Sequence, residues 1–94
     1  MDDELRNARL RRGVVAATLY AAEHAVEVVQ ICKAVDGDEF SLRTAIMVAF
    51  GFDEVQADAI VGMQVRRFTP RAIEQLRAHL SEIDDLISKS AGGR

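Results

Sequence analysis

The sequence predicts an all-helical fold: a long N-terminal helix and a C-terminal helix form an antiparallel coiled-coil stem, and two short helices form a knob at its tip. Apolar residues near both ends of the chain recur at alternating spacings of three and four, which is typical of helices that pack lengthwise. The middle of the chain carries two sets of helix start and stop signals. The only proline is Pro70, so no proline interrupts the first helix.

The first helix is predicted to run without a break from Asp2 to the turn at residues 36–38. Acidic residues at positions 2–4 favour a helix N-terminus. A seam of core-facing residues, with Arg12 as its one polar member, follows: Leu5, Ala8, Arg12, Val15, Leu19, Ala22, Val26 and Val29. A second apolar stripe lies beside it: Val14, Ala17, Ala21, Ala25, Val28 and Cys32. One partner helix covers one face, so the second face predicts a further packing surface.

Two short helices are predicted next. Ser41 is expected to cap the first of them, which runs to Phe50 and is closed by Gly51. Asp53 and Gln56 have the spacing of a capping box, which predicts a second short helix to about Met63.

The last helix begins with Thr69 as N-cap and Pro70 at the first helical position. Its seam is Ile73, Leu76, Leu80, Ile83 and Ile87. Residues 1–88 are therefore predicted to form one domain, and residues 89–94 a frayed tail.

Composition narrows the function classes. The net charge of -3 does not favour nucleic-acid binding by the chain alone. A single cysteine, Cys32, makes no internal disulfide, and we expect it to be a small buried apolar residue. The acidic start differs from a signal peptide, and the longest apolar run, residues 13–22, is about half of a membrane span. We therefore expect a cytoplasmic protein without a membrane segment.

The segment from Gly51 to Thr69 reads GFDEVQADAIVGMQVRRFT. It is similar to the pattern G-L-S-E-x-Q-A-x-A-I-L-D-M-R-L-x-x-L-T of the A subunits of bacterial type IIA topoisomerases, gyrase and topoisomerase IV. Residues 5–11 and 21–29 resemble the upstream patterns L-R-K-A-x-x-R and A-L-D-x-I-D-x-V-I of the same family. The resemblance implies the distal coiled-coil arm and the exit gate, where two A subunits meet.

The resemblance implies a homodimer, or pairing with a full-length gyrase A subunit, rather than an enzyme. The expected interface residues are Val28, Ile31, Cys32, Val55, Ala59, Ile60 and Met63. The family pattern D-M-R-L becomes residues 62–65, GMQV, so the acidic and basic members are both lost and the apolar ones are kept. The family pattern H-I-L-E-G-L becomes the more apolar residues 13–18, GVVAAT. These departures favour a short stand-alone module over a piece of a whole subunit.

Catalytic and cofactor residues are not predicted. The cleavage tyrosine of the family follows an arginine upstream of this region, whereas Tyr20 follows Leu19 and is expected to be a packing residue. His24 and His79 lack the spacing of a zinc motif. Neither a metal nor a cofactor is therefore expected.

The densest basic cluster is Arg66, Arg67 and Arg71, between the third and fourth predicted helices. These arginines are expected either to contact phosphate or to pair with the carboxylates of Asp53, Glu54 or Asp58. The sequence leaves both interpretations open.

Three other functions remain as alternatives. One is a self-associating helical protein of unrelated role. Another is a helix-turn-helix DNA-binding protein built on residues 41–63, whose acidic second helix is poorly suited to DNA. The last is a small helical enzyme like chorismate mutase, with a site recruited from Arg11, Arg12, Arg43 and Glu54.

Overall fold

The computed structural model describes residues 2–92, and the side chains of residues 3–90. The prediction of an all-helical fold is confirmed, since no strand occurs in this range. The elements are α1 (Asp2–Glu23), α2 (Ala25–Ala34), α3 (Glu39–Phe50), α4 (Glu54–Val61), a short 3-10 helix (Val65–Phe68) and α5 (Pro70–Gly92). The molecule is elongated, with extents of 50 × 27 × 16 Å.

The prediction of one unbroken N-terminal helix is wrong, because the chain bends by 88° between α1 and α2. The Tyr20 carbonyl at this bend accepts hydrogen bonds from both the His24 backbone N–H, at 2.9 Å, and His24 Nδ1, at 2.8 Å. The His24 ring also stacks on the Tyr20 ring, with centroids 3.8 Å apart. The Tyr20 carbonyl is thus shared by two donors of His24 at the end of α1, and neither glycine nor proline lies at the bend.

Helices α1 and α5 pack against each other in antiparallel directions. Arg12 forms an ion pair with Asp84, and Glu23, eleven residues later, pairs with Arg77 at 2.6 Å. The buried residues between the helices are Val15, Ala22, Leu76 and Ile83, flanked by the half-buried Leu19, Ile73, Leu80 and Ile87. Both predicted seams thus contribute to one cluster.

Two predicted members of the N-terminal seam lie elsewhere. Val26 and Val29 are 71% and 53% exposed. They belong to α2, which has turned away from α5 after the bend at His24, so the seam ends at Ala22.

A second core joins α1 to the three short helices. Its buried residues are Ala17, Ala21, Val28, Ile46, Ala57 and Ile60. The alanines at positions 17, 21 and 57 have almost no side-chain bulk, which allows α4 to lie close to α1. The second apolar face of α1 therefore finds its further packing surface within the chain, in the short helices.

Gln56 connects α4 to both its own N-terminus and α1. The predicted capping box with Asp53 is confirmed: Asp53 Oδ1 accepts from the Gln56 N–H at 2.8 Å, and Gln56 Oε1 accepts from the Asp53 N–H at 3.0 Å. Gln56 Nε2 also donates to the Gly13 carbonyl at 2.9 Å. One side chain therefore makes hydrogen bonds to two helices.

The other helix ends follow the predictions with two corrections. Thr69 Oγ1 accepts from the Ala72 N–H at 3.2 Å, as expected of the N-cap of α5. The N-cap of α3 is Asp38 and not Ser41; Asp38 accepts from the Ser41 N–H at 2.8 Å and from its hydroxyl at 2.9 Å. Helix α4 ends at Val61, before the predicted Met63.

The predicted tail is helical as far as the structure describes it, because α5 continues to Gly92. Residues 93 and 94 lie outside the described range.

We expect Gln56→Ala to lower the free energy of unfolding by about 1–2 kcal/mol, because it removes part of a cap and an interhelical hydrogen bond. Gln56→Glu keeps an acceptor for the Asp53 N–H but cannot donate to the Gly13 carbonyl, so it should also destabilise the fold. Urea unfolding followed by circular dichroism measures both. Gln64→Ala, at an exposed position, is the control. An unfolding midpoint of Gln56→Glu equal to that of the natural sequence would show that the Gly13 bond contributes nothing.

The Asp38 cap predicts a pH dependence. The two hydrogen bonds from Ser41 lower the pKa of Asp38 below its ordinary value of 3.8. A carboxyl whose pKa is depressed by folding stabilises the fold above its unfolded pKa, and this contribution disappears as pH falls through the lower folded value. Asn also caps helices well but does not titrate. The melting temperature of Asp38→Asn should therefore fall less between neutral and strongly acidic pH than that of the natural sequence. Parallel pH profiles of the two proteins would contradict this account.

Candidate interaction surfaces

Large apolar side chains are exposed on α2, α3 and α4. We call them the exposed apolar set: Val26, Val29, Phe40, Val48 and Val55. Val48 and Phe40 lie two turns apart on α3, and 79% and 68% of their respective surfaces are accessible. Val26 and Val29 lie one turn apart on α2, so both pairs form stripes along a helix. Exposed apolar stripes of this kind mark candidate contact surfaces for another molecule.

The seven predicted interface residues separate by burial. Val28 and Ile60 are only 7% and 4% exposed because they belong to the second core. Their side chains pack within the chain and leave little surface for a second molecule. The remaining five are at least partly accessible: Ile31, Cys32, Val55, Ala59 and Met63.

Phe40 and Val48 were missed as candidates. Both lie off the α3 stripe that contains Leu42 and Ile46, which face the core. Helical periodicity places both residues away from that stripe, so the sequence alone could have identified them as exposed.

Cys32 is exposed, so its prediction as a buried residue is wrong. It follows Val29 by three residues on α2, on the side that the bend turns away from the core.

Four rings meet near the end of α1, the start of α2, the end of α3 and the start of α4. Tyr20 stacks on His24 and packs edge-on against Phe50 and Phe52, with centroid distances of 5.2 and 5.8 Å. The geometry is that of an aromatic packing cluster around the bend. Among the side chains of residues 3–90, no three His, Cys, Asp or Glu are arranged to hold a metal ion.

No single helix among the described residues is long and apolar enough to cross a bilayer, and only the bent pair of α1 and α2 satisfies length and composition together.

The basic cluster predicted from sequence forms an exposed corner. Arg66 and Arg67 lie on the 3-10 helix, and Arg71 lies in the first turn of α5. We call these three residues the basic corner. A concave surface there is lined by Arg66, Arg67, Thr69, Arg71, Ala72 and Gln75.

The predicted pairing of the basic corner with nearby carboxylates is wrong. Asp53 caps α4, while Glu54 and Asp58 form ion pairs with Arg43 at 3.7 and 3.1 Å. The hydrogen bond to Asp58 raises the pKa of the Arg43 guanidinium above its ordinary value. These acidic groups therefore stabilise the contact between α3 and α4 instead.

The residues proposed for a chorismate-mutase-like site are used separately. Arg12 pairs with Asp84 of α5, and Arg43 pairs with Glu54 and Asp58 of α4. Arg11 lines a shallow surface with Leu86 and Ser90 near the end of α5. The arginines thus serve different helix contacts.

Several known proteins are similar in sequence to this chain. No family model matches the chain. It is 34% identical over 85 residues to the DNA gyrase A subunit of Treponema pallidum and 34% identical over 86 residues to that of Campylobacter fetus. The chain resembles a segment of the DNA gyrase A subunit. A third such relative, from Deinococcus deserti, is 34% identical over 84 residues.

The gyrase A resemblance covers nearly the whole chain but little of the relatives. The matches include 90%, 92% and 89% of this chain, respectively. The chain spans about a tenth of the length of the curated relatives it matches, since each match covers 10% of them. All the surfaces described above lie within this gyrase-A-like chain.

The position of Tyr20 predicts a structural role for its ring. Tyr20→Phe keeps the stacking on His24 and the edge contacts, so we expect the free energy of unfolding to change by less than about 0.5 kcal/mol. Tyr20→Ala should lower it by about 3 kcal/mol, because the loss of a ring leaves a cavity between two helices. Urea unfolding measures both variants. A Tyr20→Phe protein that loses a covalent adduct with plasmid DNA, trapped by detergent, would instead reveal a reactive hydroxyl.

Proposed function

We propose that the chain is a non-catalytic helical dimerisation module similar to the exit gate of gyrase A. In this proposal α1 and α5 form the coiled-coil stem, and α2, α3 and α4 form the knob that meets a second copy. The observation that carries the proposal is the exposed apolar set, which remains outside two completed cores. The resemblance to gyrase A over about 90% of the chain supports the same assignment.

A symmetric dimer hides such a surface efficiently, because an isologous interface buries the same patch on both copies. A stable interface buries about 800 Å² per partner, roughly an eighth of the 6418 Å² accessible surface of this chain. Removing apolar surface from water contributes about 25 cal/mol per Å² before association costs. The exposed apolar set thus supplies the type of surface that such a dimer requires.

The proposal assigns no reaction to the chain. The matched segment is a tenth of the relatives' length, and Tyr20 lies within an aromatic packing cluster. The cytoplasm is the proposed location, because the matched proteins are DNA gyrase subunits.

Pairing with a full-length gyrase A subunit is a second candidate. The 34% identity over 85 residues with a gyrase A subunit favours it. An isologous interface uses the same patch on both partners, so a chain that keeps its relative's patch can pair with that relative. Self-pairing is the first candidate, because Gly62 and Gln64 replace an acidic and a basic residue of the family pattern, and loss of these charges would weaken contacts to a standard gate.

We expect Val48→Glu to weaken the dimer at least tenfold, because it places a charge in an apolar interface while leaving both cores intact. Sedimentation at micromolar concentration should show the natural sequence at twice its 10.4 kDa mass and the variant as a monomer.

Leu10→Glu is the matched control, since Leu10 is 61% exposed on α1, outside the proposed knob. Natural protein that sediments as a 10.4 kDa monomer would refute self-pairing. Dissociation by Leu10→Glu alone would place the interface on the stem. Formation of a complex only after addition of purified full-length gyrase A would favour the second candidate.

A further inference from the structure

A concavity of about 470 Å³ lies where α1, α4, the 3-10 helix and α5 come together. Its floor is apolar: Val15 and Leu76 are only 9% and 6% exposed, and Val14 and Met63 are half-buried. Small-molecule sites have volumes of about 300–1,000 Å³ and mostly apolar linings. This concavity therefore has the size and the floor of a site for a small molecule.

The floor of the concavity reaches the junction of the two cores. Val15 and Leu76 belong to the cluster between α1 and α5, and Met63 packs against both clusters. Side chains that are part of a close-packed core are held in place by their neighbours. The side chain of Met63 is flexible and polarisable, so it adapts to the shape of an apolar group. An apolar group can therefore lie on this floor while both cores stay packed.

The rim of the concavity carries positive charge and hydrogen-bond donors. Arg66 and Arg67 lie on the rim, together with Gln64 and His79. Among the described side chains of residues 3–90, no aspartate or glutamate lines the concavity, and none has a carboxylate within 4.0 Å of either arginine. A guanidinium group donates two parallel hydrogen bonds to a carboxylate. The rim is therefore suited to a ligand that ends in a carboxylate.

Gly62 lines the concavity at a position where the A-subunit pattern D-M-R-L has an aspartate. A carboxylate on the same rim as Arg66 and Arg67 would repel an anion and compete for the guanidinium groups. The backbone φ of Gly62 is -88°, and a Cβ built there would lie 3.6 Å from the Asp58 carbonyl oxygen, which is an ordinary contact. The backbone thus accepts a side chain at position 62, and the lack of a carboxylate there leaves the rim positive.

We propose that this concavity binds a small amphipathic carboxylate, with its apolar body on the floor and its carboxylate at Arg66 and Arg67. The floor contributes affinity because removal of apolar surface from water is favourable. The arginines contribute selectivity for the charged end of the ligand. Inorganic phosphate gains nothing from the floor, and a neutral alkyl compound gains little from the guanidinium groups. Tight binding therefore requires both parts of the ligand.

The test is a titration of the isotope-labelled full chain with octanoate, followed by two-dimensional amide NMR. Octanoate has both parts of the proposed ligand, whereas acetate lacks the apolar body and octanol lacks the carboxylate. We expect octanoate to move the amide signals of Thr18, Met63 and His79, which line the concavity on three sides. Each truncated probe should bind at least about fivefold more weakly than octanoate.

Gly62→Asp is the decisive variant, and Gly62→Asn is its neutral control of the same shape. Gly62→Asp should weaken octanoate binding at least about fivefold, whereas Gly62→Asn should bind within about twofold of the natural sequence, because only the first adds a charge.

The second pair of variants tests the arginines. Arg66→Gln/Arg67→Gln should weaken octanoate binding about tenfold, because it removes the charged donors. Arg9→Gln/Arg11→Gln makes the same change in net charge, from -3 to -5, near the start of α1, and should leave octanoate binding unchanged. If Gly62→Asp does not fold, this pair decides the result, since all four of its positions are exposed.

The proposal is overturned if octanoate moves none of the amide signals around the concavity, or moves only those of the exposed apolar set. It is also overturned if inorganic phosphate displaces octanoate at equal concentration, or if the Gly62→Asp and Gly62→Asn proteins bind octanoate equally. Val48→Glu, which alters the proposed dimer surface, should bind octanoate like the natural sequence. Failure of the dimer proposal and failure of this one are therefore distinguishable.

Discussion

The bend at His24 determines how the rest of the chain packs. Helix α1 ends there and α2 leaves at 88°, and at this point the Tyr20 carbonyl accepts from both the backbone and the side chain of His24. This change of direction brings Val28 into contact with the core that contains Ile46 of α3. The same rotation exposes Val26 and Val29. A straight helix would have placed Val26 on the α5 side and left α3 and α4 without α2 to pack against.

The two faces of α1 illustrate how side-chain size selects a packing partner. The α5 face has Val15 and Leu19, which interdigitate with the long side chains of α5. The opposite face has Ala17 and Ala21, which are completely buried and allow the short helix α4 to approach closely. The Gln56 hydrogen bond to the Gly13 carbonyl then fixes the position of α4 along α1. Completion of both cores within one chain leaves the exposed apolar set of α2 to α4 outside them.

Charge is distributed by structural role. Ion pairs connect α1 to α5 through Asp84 and Arg77, and α3 to α4 through Arg43. Exposed pairs of this type contribute little stability each, but they specify how neighbouring helices align. The basic corner takes no part in this scheme, and two of its residues, Arg66 and Arg67, lie in the segment of residues 51–69 that resembles the A-subunit pattern. The exposed apolar set and the basic corner thus lie on the same small fold.

The sequence alone determined the helical class, the α1–α5 seam to Ala22, and the caps at Asp53 and Thr69, because these depend on local spacing and local hydrogen bonds. The resemblance to gyrase A was also readable from residues 51–69. The break at His24 was not readable, since neither glycine nor proline lies there and the contacts of the His24 ring with Tyr20 form only in the folded chain. Only the tertiary structure decided that Val28 and Ile60 are core residues while Val48 remains exposed, because burial depends on the direction of each short helix after a turn. It likewise decided that Glu54 and Asp58 pair with Arg43, leaving the basic corner without them, because ion pairs form between groups that folding brings within about 4 Å.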